Sequence, residues 1–146
     1  MKGRPYMTKD VLIMVNGLRL EGNETDDIEL VTPGTYYSKR GKDYILYDEY
    51  FQEIGEVTQC NIIIDNNKVD IIKHGSANVH MIFEKLKKHS SYYQTSFGSI
   101  LVGFYTTDLK VKKEEDEIKI AIKYNLDINY NHISENDILI KVQAKK

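Results

Sequence analysis

Four histidines, one cysteine and eleven tyrosines are the side chains of this 146-residue chain best suited to chemistry. His74 and His80 flank a turn, where a hairpin brings them toward each other. Structural zinc takes four nitrogen or sulfur ligands. No carboxylate or cysteine stands at a metal-ligand spacing from these two, or from His89 and His132. The expectation is surface histidines and no metal. Cys60 sits beside Asn61 and Ile62. A nucleophilic cysteine needs a nearby base and an electropositive setting, and neither is local, so Cys60 reads as an inert thiol. The chain contains no phosphate-binding loop, nucleophile elbow, zinc-binding histidine pair on a helix or Cys-x-x-Cys pair. No catalytic residue or cofactor is expected, and a non-enzymatic protein is favoured over an enzyme of unrecognised type.

The tyrosines carry the strongest functional signal. Tyr36, Tyr44, Tyr124 and Tyr130, with Phe104, fall on strand positions counted as facing inward. Tyrosine combines a large apolar body with a hydroxyl that needs a partner when buried. Several such hydroxyls inside a barrel would fix the head group of a small apolar or amphipathic ligand. The alternative is packing at the barrel ends with hydroxyls in water. Tyrosines on a sheet face also stack nucleic-acid bases. That requires basic neighbours on the same face, and Asp127 offsets Lys119 and Lys123 there. With a net charge of -2, nucleic acid is not an expected partner.

Strands must position these groups. Only three alanines occur, while Ile and Tyr are abundant, which favours strands over helices. From Glu117 to Tyr130, Ile118, Ile120, Ile122, Tyr124, Leu126, Ile128 and Tyr130 take every even position and polar residues most of the odd ones. That alternation predicts one long strand with an apolar and a polar face. Further strands are expected over Asp10 to Leu20, Asp27 to Ser38, Asp43 to Tyr50, Glu56 to Asp65, Lys68 to Lys73, Asn78 to Leu86, His89 to Ser96, Ser99 to Lys112 and Asp137 to Ala144. Pro33-Gly34 should mark an edge, bulge or bend. Asn66-Asn67 should form a type I′ turn. Ser134-Glu135-Asn136 should turn into the last strand. In Tyr92 to Thr106, Gly98 should supply a turn and Gly103 should mark a bend or a close approach. About eight to ten strands with short turns predict an all-β, antiparallel up-and-down barrel, which removes exposed sheet edges. A β-sandwich is the second choice. Residues 1–7 read as a flexible N-terminus and 8–146 as a single barrel domain.

The order of the segments resembles a known family. Thr-Pro-Gly-Thr-Tyr-Tyr-Ser-Lys-Arg-Gly-Lys-Asp-Tyr-Ile-Leu-Tyr-Asp-Glu-Tyr (Thr32 to Tyr50), Lys-Val-Asp-Ile-Ile-Lys-His-Gly (Lys68 to Gly75), Tyr-Gln-Thr-Ser-Phe-Gly-Ser-Ile-Leu-Val (Tyr93 to Val102) and Ile118 to Ile128 are similar to the YwiB-like family of small bacterial proteins, a domain of unknown function. The resemblance implies a calycin-like barrel, of the lipocalin and fatty-acid-binding-protein type, and brings no catalytic residues with it. The expected function is binding of a small apolar or amphipathic molecule in the barrel interior. The alternative is an interaction module acting through its outer surface, as a homodimer. A lone cysteine and the lack of any long apolar run imply a cytoplasmic protein with no membrane partner.

Overall fold

The computed structural model describes residues 9–17, 29–51, 55–75 and 78–145. The expected flexible terminus, residues 1–7, lies outside them. Ten antiparallel strands run in the order β1 (Lys9–Asn16), β2 (Glu29–Lys39), β3 (Lys42–Phe51), β4 (Glu56–Asp65), β5 (Lys68–His74), β6 (Val79–Glu84), β7 (Lys88–Thr95), β8 (Gly98–Lys113), β9 (Glu117–Ile128) and β10 (Asn131–Ala144). Their spatial order is β6-β5-β4-β3-β2-β1-β10-β9-β8-β7. The sheet rolls into a nearly closed barrel. β6 and β7 meet at the seam through the Asn78–Gln94 bridge, and Leu86 N–H donates to the Thr106 carbonyl at 2.7 Å.

The alternation read from the sequence becomes the inside and outside of this wall. Ile118, Ile120, Ile122, Tyr124 and Leu126 of β9 are buried, as are Val11, Ile13 and Val15 of β1 and Ile62 and Ile64 of β4. Burying each such aliphatic side chain contributes roughly 1.5–3 kcal/mol, so the two-residue period fixes which face turns in. Phe83, Phe104 and Tyr124 occupy the middle of the barrel and pack against one another, with ring centroids 5.0 to 6.0 Å apart.

Local expectations fared unevenly. Arg40 and Gly41 both take left-handed backbone, at φ 54 and 79, and join β2 to β3. Asn66 does so alone at the β4–β5 turn, at φ 56, so that turn is not the expected type I′. Gly98 has φ 123 and opens β8. Gly103 answers to a close approach: a Cβ there would meet the Asp127 carboxylate, its cross-strand neighbour. The long strand ends earlier than its pattern. Asn129 and Tyr130, at φ 51 and 69, form the β9–β10 turn, and β10 runs straight through the expected turn at 134–136. A bulge at Ile133 absorbs the extra residue.

Candidate functional site

β2 and β3 bring Tyr36 and Asp43 onto the inner face at one barrel end, because Tyr36 pairs with Ile45 and Asp43 alternates with it. The inner row of β8 ends there with Lys113, opposite Ile118. The Tyr36 hydroxyl donates to Asp43 Oδ1 at 2.6 Å, and Lys113 Nζ lies 2.5 Å from Asp43 Oδ2. The Asp43 carboxylate is buried, whereas half of the Lys113 side chain remains in solvent. Burial raises the ionisation range of the Tyr36 hydroxyl, and the hydrogen bond to Asp43 raises it further. Tyr36 and Lys113 line a cleft of about 110 Å³ at the barrel mouth, with Asp43 behind them. Val11, Ile118, Val142 and Ala144 form its apolar side, and Lys9 and the 114–117 turn form its rim. It offers a hydroxyl, an ammonium, a patch of hydrocarbon and, along the rim, the carboxylates of Glu114, Glu115, Asp116 and Glu117 to a small molecule.

The inward-facing set from the sequence divides. Tyr36, Phe104 and Tyr124 face the interior. Tyr44 does not: it lies between the buried Asp43 and Ile45 on the opposite face and stacks on Tyr37 at 4.7 Å. Counting the strand from Tyr36 through the two-residue turn gives its parity, and Tyr44 is opposite Tyr37 rather than Tyr36. Tyr130 is 78% exposed, because its strand stops two residues before it, and the ammonium of Lys88 sits 6.0 Å from its ring centre. Tyr124 and Phe104 are central but touch each other, so they fill the barrel rather than line its mouth.

The titratable residues fall into surface pairs. His80 Nε2 is 2.8 Å from Asp70, and His89 Nε2 is 3.1 Å from Glu84. His80 thus meets a carboxylate instead of His74, on the outer wall. The hydrogen bond from His89 holds the Glu84 carboxyl below its usual range. Among the described residues, no group of three or more His, Cys, Asp or Glu could hold a metal ion. Cys60 is buried, and burial pushes its thiol up to about 12. Lys119 and Lys123 lie close to Glu117 and Asp137.

Asp43 and Lys113 were missed by the sequence reading. The signal for Asp43 was present: it shares parity with Ile45 and Tyr47, and a charge on an apolar row needs a buried partner. Lys113 looked like one more charge on a solvated hairpin tip. A second, larger depression of about 780 Å³ opens on the outer wall between β2 and β3.

The ten described strands form an all-β, antiparallel, nearly closed and filled barrel, an architecture consistent with a calycin-like fold. A search of the curated proteins finds no match. A family model described as a domain of unknown function, DUF1934, matches residues 13–140, and the chain belongs to that family. Among solved structures, the crystal structure of the YwiB protein from Bacillus subtilis is similar, with a TM-score of 0.80 at 20% identity over 95% of this chain and 94% of that one. That likeness establishes the fold.

Proposed function

We propose that this protein is a non-enzymatic binder of a small amphipathic molecule, held at the mouth of the barrel rather than in its centre. The observation that carries the reading is the Tyr36–Asp43–Lys113 triad beside an apolar cleft. A charge is costly to bury unless it is partnered. Here the partners leave one ammonium half free at the cleft wall. A ligand of this kind would lay a short hydrocarbon against Val11, Ile118 and Val142 and turn its polar end to Lys113 and Tyr36. Each square ångström of apolar surface covered contributes about 25 cal/mol. A reducing cytoplasmic setting accords with this reading, since Cys60 is an unpaired thiol.

The test is native mass spectrometry of protein purified from its own host, followed by titration with hexanoate and hexylamine observed at the methyl groups of Val11, Ile118 and Val142. A carried mass that is lost on denaturation, or shifts confined to those methyls and abolished by Tyr36→Phe with Lys113→Met, supports the reading. A clean apo mass together with unmoved methyls at millimolar additive rejects it.

A further inference from the structure

The β2–β3 ladder stops at Thr35 and Leu46, although β2 extends back to Glu29 and β3 on to Phe51. The alternation of ladder bonds gives the reason. Lys39 and Lys42 close a two-residue turn and exchange both bonds, so the positions that bond toward β3 are Lys39, Tyr37, Thr35 and then residue 33. Residue 33 is proline, which has no N–H to give. Bonds toward β1 come from the other parity, Gly34 and Thr32, so the β1–β2 ladder continues past the proline. By the same count, Asp48 and Tyr50 of β3 turn their N–H and C=O groups toward a strand that no longer pairs with them.

The larger depression lies at this divergence. It reaches inward, since Tyr47 and Cys60 line it although both are core residues. The amide oxygen of Asn61, another lining residue, is buried with no hydrogen-bond partner. Asp10 and Asp48 border it, and neither forms an ion pair among the described residues.

Among the described residues nothing pairs with this edge, and an unpaired strand edge accepts an added strand through main-chain bonds, with side chains giving the selectivity. We infer that this opening takes an extended, basic segment of a partner protein, which pairs with β3 at Asp48 and Tyr50. The inference goes beyond the mouth and does not depend on it. Outer-face side chains recur every second residue, so lysines or arginines at alternate positions of the added strand reach Asp48 and Asp10. A second copy of this chain is the poorer occupant. Pairing two β3 edges brings the Asp48 carboxylates of both copies onto one face, and like charges across a ladder destabilise it.

The test uses the full chain and the peptide acetyl-Lys-Thr-Val-Lys-Val-Thr-Lys-amide, with hydrogen exchange followed by NMR. In the free protein, the amides of Asp48 and Tyr50 should exchange at least tenfold faster than those of Tyr47 and Glu49, which bond to β4. The peptide should slow both at least tenfold, and a version with Glu for Lys should not. Asp48→Lys should weaken binding at least tenfold. Pro33→Val supplies the donor that the Asp48 carbonyl lacks, so the 33/48 pair can close and the Asp48 N–H can donate to the residue 33 carbonyl; this should protect the Asp48 amide without peptide and abolish binding. The inference is overturned if millimolar peptide leaves both amides unchanged or if Asp48→Lys binds as well as the parent. It also falls if the two amides are already protected in the free protein: concentration-independent protection means the chain fills its own opening, and protection that grows with concentration means a second copy does.

Discussion

Replacing Phe83 tests most directly whether the barrel is filled. Its ring is fully buried, with Tyr124 5.0 Å and Phe104 5.6 Å away between centroids. Removing a core phenylalanine to alanine costs about 3–5 kcal/mol, and each aromatic pair adds roughly 0.5–1.5 kcal/mol beyond area burial. Two lost pairs put Phe83→Ala at the upper end, about 4–5 kcal/mol. For a domain of this size each kcal/mol lowers Tm by about 2–4 °C, so the drop should be about 8–20 °C. Phe83→Leu keeps most of the volume and should cost about 1–1.5 kcal/mol, which leaves a folded protein to measure if the alanine variant unfolds. Urea denaturation with an unchanged slope, followed by far-ultraviolet dichroism, reads both. A loss below about 1.5 kcal/mol for the alanine variant would refute the reasoning, because a ring bordering open space has no packing to lose.

Other perturbations probe the mouth, the wall and the buried acids. Tyr36→Phe removes a charge-assisted hydrogen bond to Asp43 and should cost up to about 1.5–3 kcal/mol, whereas Tyr44→Phe on the outer face should stay within about 0.5 kcal/mol; chemical denaturation of both variants compares them. Gly103→Ala should cost about 1–3 kcal/mol by crowding the Asp127 carboxylate, and adding Asp127→Ala should recover much of it in thermal melts. Cys60 should resist iodoacetamide at pH 8 in the folded protein and react in urea, since its thiol stays protonated to about 12. Burial also raises Tyr36, Tyr47 and Tyr124. Unfolded thiols and phenols release protons from about pH 9–10, while the folded groups hold theirs. Stability is therefore intact below that range and falls as pH rises above it. Denaturant midpoints measured between pH 8 and 11 should decline, and a flat profile would count against these burials.

The strand pattern was legible because burial on one face of a sheet repeats every two residues, and β1, β4 and β9 show it with few interruptions, whereas β8 changes phase at Thr107. Parity carries across a turn only when the turn length is known. Tyr44 faces outward because the two-residue turn at Arg40-Gly41 sets it opposite Tyr37 rather than Tyr36, and Tyr130 lies outside β9 because the strand ends in a turn whose residues, Asn129 and Tyr130, carry no glycine to announce it. Pro33 was read as a disturbance, but its effect is one-sided: it ends one ladder and spares the other, which depends on the bonding phase set six residues later at Lys39. The triad at the mouth joins β2, β3 and β8, and such distant partners leave no local trace. Only the charge of Asp43 within an apolar row pointed there.

The spatial order of the strands is their chain order, rotated to begin at β7. Among the described strands, β10 and β1 are the sole neighbours in the sheet that are far apart in sequence, and Lys145 N–H already reaches the Asp10 carbonyl at 3.1 Å. A circular permutant that joins residue 145 to residue 9 by a short linker and opens at Leu86 would make every ladder local. The β1–β10 ladder would then no longer wait on an encounter between the two ends of the chain, which would be left with only the sparse bonds of the β6–β7 seam to make. Such loop closures dominate the folding times of β proteins. The permutant should fold faster than the parent, with the β6–β7 seam docking last.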